Sequence, residues 1–158
     1  MRLPLIAPAA ALLLSLGIAH PAGATTAVVG TGTITVTPGS FQVTSFRQAD
    51  GNTFITYTDA GTFTGAISGA YAETGNVITH ADGSQNIRGS DSCTCTVGGR
   101  TGAYADDFWA TGVASTGIAE GSVVVKGSGG LAGLHGEGTF QGTFALTTYS
   151  VRLHFDPQ

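Results

Sequence analysis

Charged side chains are scarce in this chain of 158 residues, where they make up 10% of the sequence. Typical soluble domains carry roughly 25%. Lys and Arg together number 6 against 10 Asp and Glu, which gives a formal net charge of -4, and the basic residues are scattered along the chain. A weakly acidic chain without a basic cluster excludes nucleic acid and anionic membrane surfaces as expected partners.

Cysteine is almost as rare, with Cys93 and Cys95 as the 2 residues of this type. Two sulfurs without a neighbouring pair of histidines make half a zinc site, so no metal is expected. In an oxidising compartment two neighbouring cysteines favour a disulfide. Two residues apart on an ideal strand, however, their Cα atoms lie near the upper distance limit for a bridge. A local disulfide helped by a bulge and a pair of free thiols therefore both stay open.

Sequence motifs with a known catalytic mechanism are missing. The chain has no Gly-x-Ser-x-Gly nucleophile, no zinc-protease motif and no P-loop. The glycines of residues 127–130 are not followed by the Lys-Ser pair and the helix that a phosphate cradle needs. We therefore expect no cofactor, and the sequence gives no basis for assigning a reaction.

The first 24 residues are typical of a secretory signal peptide. One early basic residue, Arg2, precedes an apolar run rich in Leu and Ala, which ends in the small-residue pattern Ala22-Gly23-Ala24. A membrane anchor is the competing interpretation, but the apolar run is short and contains prolines. We expect cleavage, a secreted or periplasmic protein without a membrane partner, and a single domain over residues 25–158.

Alternation of apolar and polar residues dominates the chain after the leader, and no segment shows a helical stripe. Turn signals recur every 8–12 residues or so, a spacing typical of antiparallel sandwiches and barrels. The predicted strands are residues 28–36, 41–46, 53–58, 62–73, 77–80, 84–97, 103–114, 118–126, 135–144 and 147–155. A bend is predicted at residues 59–61, a turn at 74–76, and one turn of 3-10 helix at 131–134.

The stretch VVVKGSGGLAGLHGEGTF, residues 123–140, is the most informative part of the sequence. A β-branched strand leads into a glycine-rich turn, and the next strand begins with glycine at alternate positions. Such glycines mark tight curvature or the close approach of another backbone. This is how a sheet bends into a barrel, so the pattern favours a closed barrel over a β-solenoid, for which no regular repeat is present.

The same region carries a family resemblance. The runs GGRTGAYADDFWATG, GIAEGSVVVKGSGGLAGLHGEGTF and YSVRLHF, together with TFTGAISGAYAE earlier in the chain, resemble a bacterial family of small uncharacterised proteins. That family belongs to the allene-oxide-cyclase-like barrel superfamily, and the resemblance covers residues 31–155. This chain departs from the family pattern by lacking two residues between Gly129 and Leu131 and by having the segment Cys93-Thr94-Cys95.

The resemblance implies an all-β domain, an eight-stranded antiparallel closed β-barrel of allene-oxide-cyclase-like or calycin-like type with a central cavity. It transfers no catalytic residue, because the residues of the plant cyclases cannot be aligned with this chain and a fold does not carry a function.

A small closed barrel can hold one apolar ligand, and a small hydrophobic molecule is the partner we expect. The predicted lining residues are Tyr57, Ile67, Tyr71, Tyr104, Phe108, Trp109 and Phe140. Adjacent strand residues point to opposite faces, so Tyr104, Asp106 and Phe108 form one row while Asp107 and Trp109 form the other.

Glu73 is the candidate acid or base. On an inner face among apolar groups its pKa would rise, which suits proton transfer. The pattern favours the other interpretation, which places Glu73 in solvent at a strand end, beside the predicted turn at residues 74–76. The sequence thus favours a ligand-binding barrel, ahead of a structural or interaction module, and both ahead of a cofactor-free isomerase or cyclase that acts on a hydrophobic substrate.

Overall fold

The computed structural model describes residues 26–157, and the predicted leader lies outside the described residues. The described part forms nine strands and one short 3-10 helix, Gly129–Leu131. The strands are β1 (Val28–Val36), β2 (Gln42–Ala49), β3 (Asn52–Gly65), β4 (Ile67–Thr79), β5 (Ser84–Val97), β6 (Arg100–Val113), β7 (Ile118–Ser128), β8 (Leu134–Thr143) and β9 (Leu146–Phe155). No helix within these residues is long and apolar enough to cross a membrane.

Eight of these strands close into an antiparallel barrel, as the sequence predicts. Strands β3 to β9 pair in chain order, and β1 joins the two ends by pairing with both β9 and β3. Strand β2 pairs with β3 alone and contacts the first half of that strand. It lies along the same edge of β3 that β1 pairs with in the second half. A bulge between Val43 and Ser45 interrupts its register, a device that discourages pairing with another chain.

The boundary between β3 and β4 differs from the prediction. The chain reverses at Gly65 and Ala66, where Gly65 adopts a φ of 98°, so the predicted strand over residues 62–73 is divided between two strands. The predicted turn at residues 74–76 is wrong because β4 continues through it. Gly75 lies opposite Tyr57 in the register, and its missing side chain leaves room for the tyrosine ring.

One end of the barrel is filled and is called the closed end below. The 3-10 helix, called the plug below, folds over this end and inserts Leu131, which is fully buried. The helix ends at Leu131, three residues before the end of the helical turn predicted at residues 131–134. Arg100 fixes this plug by donating to the carbonyls of Gly130 (3.1 Å) and Ala132 (3.3 Å). Beneath it pack the branched side chains of the closed-end core, Ile67, Val97, Val125, Leu134, Val151 and Leu153.

Glycines on the inner face make room for the rings of neighbouring strands. A methyl group built at Gly89 overlaps the ring of its cross-strand partner Phe108, and one at Gly121 contacts the ring of Phe140. Each ring therefore lies flat along a stretch of bare backbone, the arrangement by which aromatic side chains cover sheet glycines.

This packing predicts the cost of one added methyl group. Gly89→Ala should lower the free energy of unfolding by about 1–3 kcal/mol, because the Phe108 ring must move against packed neighbours. The matched control is Ser90→Ala, an exposed residue of the same strand, which should stay within about 0.5 kcal/mol of the parent. Urea unfolding measures both variants, and equal stabilities for them would show that the ring has free space.

Candidate functional site

The half of the barrel away from the plug contains a cavity of about 350 Å³. This volume falls in the range of small-molecule pockets. Its apolar wall comes from inward side chains of seven strands: Ile34, Val36, Ile55, Val77, Ile87, Phe108, Ala110, Ala119, Val123 and Phe140. The cavity extends to the connections at the open end, where Gly117 and Thr143 contribute to its lining.

Four carboxyl groups lie side by side on the inner wall. Asp59 on β3 is the register partner of Glu73 on β4. Glu73 in turn faces Asp91 on β5, and Asp91 faces Asp106 on β6. Cross-strand partners on one face of a sheet stand about 5 Å apart, so the four residues form a continuous line, here called the carboxyl row. Three of its members, Glu73, Asp91 and Asp106, line the cavity.

Tyrosine hydroxyls bind part of the carboxyl row. Tyr57 donates a hydrogen bond to Glu73 Oε1, and Tyr104 donates one to Asp106 Oδ2 at 2.7 Å. Other buried polar atoms of this region have no hydrogen-bond partner among the described residues. They are both Oδ atoms of Asp59, Oδ1 of Asp91, Oδ1 of Asp106 and the hydroxyl of Tyr71.

Positive charge is missing from the interior within residues 26–157. Four basic side chains are exposed on the outer wall, namely Arg47, Arg88, Lys126 and Arg152. The fifth, Arg100, holds the plug at the closed end and stacks on Phe155 at 4.1 Å. The carboxyl row is therefore buried without a protein counter-ion, which is costly for an ionised group.

Burial consequently raises the pKa of every member of the row. Loss of hydration raises the pKa of Asp59 to about 6. Loss of hydration, followed by the repulsion of Asp106, raises the pKa of Asp91 to about 10. For Glu73 and Asp106 the donated tyrosine hydrogen bonds work against burial, and their pKa values rise to about 7 and about 6. The row is thus partly protonated near neutral pH.

Four tyrosines line the cavity, Tyr57, Tyr71, Tyr104 and Tyr149, and all stay protonated because burial raises their pKa values. Burial, and then the nearby carboxylates, raise the pKa values of Tyr57 and Tyr104 above the ordinary tyrosine range. Burial and Asp59 do the same for the pKa of Tyr71. Tyr57 and Tyr104 already donate to Glu73 and Asp106, whereas the Tyr71 hydroxyl is left as a hydrogen-bond donor for a ligand.

Aromatic rings border the entrance to the cavity at the open end of the barrel. Phe41, which precedes β2, lies 5.1 Å from the ring of Tyr57 and 5.0 Å from Phe144 in the turn between β8 and β9. Phe41 and Phe144 are partly exposed, so they separate the cavity from solvent. They lie beside β2, the strand with a single pairing partner, where the wall is incomplete.

Five of the seven predicted lining residues are together in the cavity: Tyr57, Tyr71, Tyr104, Phe108 and Phe140. Ile67 is instead part of the closed-end core, at 1% exposure. The prediction for Trp109 is wrong, because alternation places it on the outer wall with 50% of its surface exposed. Glu73 lies in the middle of β4 on the inner face, so the interpretation that put it in solvent at a strand end is wrong too.

The sequence alone does not single out Asp59 and Asp91 of the row, nor the two rings at the entrance. Asp59 was assigned to a bend and Asp91 was not singled out, although both follow the inner alternation of their strands. Asp106 was placed in a row with Tyr104, but its acidic neighbours become visible only once the strand register is known. Phe41 and Phe144 are the terminal residues of the predicted strands 41–46 and 135–144, whereas the structure places both in connections just outside β2 and β8.

The two cysteines lie at the other end of β5, toward the plug. The structure joins Cys93 and Cys95 in a disulfide with a Cα–Cα distance of 5.4 Å. Cys95 is fully buried in the closed-end core, and Gly69 on the facing strand leaves room for its sulfur. The pair therefore belongs to the wall and the core rather than to the cavity.

The histidines of the described part of the chain do not line the cavity. His135 stacks on His154 at 5.6 Å and pairs with Asp156 at 3.0 Å at the closed end, whereas His80 contacts Asn52 at the open end. Within residues 26–157, no three His, Cys, Asp or Glu side chains come together closely enough to hold a metal ion.

Comparison with known proteins adds information on the fold. No family model matches the chain, and no curated protein is significantly similar to it. Among solved structures, the barrel is similar to a protein of unknown function from the DUF3224 family of Shewanella oneidensis MR-1. The TM-score is 0.62 with 18% identical residues, over 84% of this chain and 99% of the other. At this identity the likeness shows a shared fold.

The carboxyl row predicts an unusual dependence of stability on pH. Folding raises the pKa values of these groups above about 4, so the native state binds more protons than the unfolded chain and stability falls as pH rises. The decline should begin near pH 4 and continue through about pH 6 and 7 toward pH 10, following the raised pKa values. Urea unfolding across this range measures it.

A matched pair of variants locates the effect. Asp91→Asn, which replaces a carboxyl at 6% exposure by a neutral group of the same shape, should make the decline shallower. Glu120→Gln, an exposed carboxyl on the outer wall, should leave the slope unchanged. If the parent protein instead gains stability from acid toward neutral pH, the conclusion that the carboxyl row is buried without a counter-ion is contradicted.

Proposed function

We propose that this protein binds a small, largely apolar molecule in the cavity of its barrel. The observation that carries the proposal is a cavity of about 350 Å³ that has an apolar wall, a few convergent polar groups and an entrance bordered by aromatic rings. Binding pockets for small molecules share these properties. A barrel whose role is purely structural gains stability by filling such space with side chains.

We further propose that the chain acts outside the cytoplasm, after removal of residues 1–24. The signal-peptide pattern supports export, and the disulfide between Cys93 and Cys95 is of a kind that persists in oxidising compartments. The sequence resemblance favours membership of the allene-oxide-cyclase-like barrel superfamily, whose barrels enclose a central cavity, and this agrees with the ligand-binding proposal.

Titration with the neutral fluorescent probe N-phenyl-1-naphthylamine tests the binding proposal. We expect saturable enhancement of the probe's fluorescence by the parent protein. Ala110→Leu, on the inner face of β6, should weaken the affinity at least about tenfold by filling the cavity. Ala105→Leu adds the same bulk to the outer face of that strand and should leave the affinity unchanged. Equal effects of the two variants would place the probe outside the barrel.

A second candidate function is isomerisation of an apolar carbonyl compound. The specific observation is that Glu73 lines the cavity with its pKa raised to about 7, which suits a general base at neutral pH. In such a reaction the Glu73 carboxylate takes a proton from a carbon next to the carbonyl and returns it to a more distant carbon. Tyr71, whose hydroxyl has no partner among the described residues, would donate to the carbonyl oxygen as negative charge develops on it, while Tyr57 already donates to Glu73.

Proton exchange tests this second candidate without knowledge of the substrate. Unsaturated ketones small enough for the cavity would be incubated with the protein in deuterium oxide, and deuterium incorporation followed by NMR. Glu73→Gln should reduce the enzyme-dependent rate about 100-fold or more, whereas exposed Glu137→Gln on β8 should have no effect. Exchange that survives Glu73→Gln would exclude Glu73 as the base.

A further inference from the structure

The polar part of the cavity contains buried polar atoms that lack hydrogen-bond partners among the described residues. Oδ1 of Asp91 and Oδ1 of Asp106 are buried without partners among the described residues, and so is the Tyr71 hydroxyl, on a side chain that is 3% exposed. All three residues line the cavity. A buried polar atom without a partner destabilises the empty site, because it has lost its hydrogen bonds to water. A ligand that satisfies these atoms recovers that cost and binds correspondingly more tightly.

Charge narrows the chemistry of such a ligand. Glu73, Asp91 and Asp106 line the cavity, and Asp59 lies beside Glu73 at the end of the same row. Within residues 26–157 no basic side chain faces these four carboxyl groups. An ammonium group has three hydrogen-bond donors, no acceptor and one positive charge, so it complements this set. A ligand carboxylate or phosphate would add repulsion to a site that already lacks a counter-ion.

The approach to the row also suits a cation on an apolar body. Phe41, Tyr57 and Phe144 place three rings at the entrance, and ring faces attract ammonium and guanidinium groups. Beyond them, Phe108 and Phe140 pack edge to face at 5.9 Å on the apolar wall. Acidic groups and aromatic rings thus line the same cavity, and together they fit the two parts of an amphiphilic cation.

We propose that the cavity binds an organic cation, an amine or guanidine carried on a small apolar body, with the cationic group against Glu73, Asp91 and Asp106. This inference rests on the proposed binding function and specifies its ligand class. The apolar body lies along Phe108 and Phe140, and the cation supplies the donors and the charge that the inner wall lacks.

The test compares three molecules that share one apolar chain. Octylamine, octan-1-ol and octanoate are used to displace N-phenyl-1-naphthylamine from the parent protein near neutral pH. Octylammonium should compete at least about tenfold better than octan-1-ol, because charge-assisted hydrogen bonds add about 1.5–3 kcal/mol each. Octanoate should compete worst of the three.

Two neighbouring residues of β6 provide the matched variants. Asp106→Asn should reduce the preference for octylammonium over octan-1-ol to less than about threefold. Asp107→Asn removes an equal charge from the outer wall, where it pairs with Lys126 in solvent, and should keep the full preference. Glu73→Gln is the second inner variant if Asp106→Asn does not fold.

Calorimetry on the parent protein gives a readout that needs no variant. The inner carboxyls are partly protonated near neutral pH, so an arriving cation should lower their proton affinity and release protons. The heat of octylamine binding should therefore depend on the ionisation enthalpy of the buffer beyond the contribution of the amine itself, which a titration into buffer without protein defines.

The outcomes separate this inference from the function on which it rests. Equal competition by octylamine and octan-1-ol, with the neutral probe bound, overturns the organic cation and leaves the apolar pocket standing. A preference that persists in both Asp106→Asn and Glu73→Gln also overturns it, as does displacement by calcium without displacement by octylamine. Failure of the neutral probe and of all three eight-carbon molecules to bind overturns both proposals.

Discussion

The contact between an inward ring and the bare backbone of the next strand determines how this barrel is built. Tyr57 lies on Gly75, Tyr71 on Gly61 and Phe108 on Gly89, each ring beside its register partner. The inner face of a small barrel is crowded, so a large ring facing another large side chain would stand toward the axis. A glycine partner lets the ring lie along the wall instead. The axis of the open half is thereby kept free.

The closed half uses the same glycine spacing with a different outcome. There Gly136 and Gly138 face Leu153 and Val151, whose branched side chains fill the axis, and Leu131 completes the filling from above. Aliphatic side chains can fill the centre of the barrel, whereas rings lying flat on the wall leave it open. The same strand topology thus produces a closed half that is filled by side chains and an open half that encloses the cavity. The carboxyl row lies in the wall of the open half.

The barrel could be predicted from the sequence because alternation and glycine spacing are local signals. The same signals give a wrong strand boundary where a glycine has a role in packing. They predict a turn at Gly75, whereas this glycine lies within a strand and accommodates the ring of Tyr57. The carboxyl row could not be predicted, because Asp59, Glu73 and Asp91 are far apart in sequence and meet only through the register of three strands. Trp109 shows a further limit, since alternation defines two faces of a strand and does not tell which one is inside.

The acidic wall opposes folding, and this points to a role in function. Replacing buried, unpaired charge by apolar side chains of similar size generally stabilises a protein. Here such replacement would also fill the cavity, in the way that Val125 and Val151 fill the closed half. The four carboxyls of the row instead raise the free energy of the empty barrel, because near neutral pH each is either protonated at a cost or ionised without a counter-ion. A positively charged ligand removes that cost as it binds, so the instability of the empty barrel contributes directly to the selectivity that we propose.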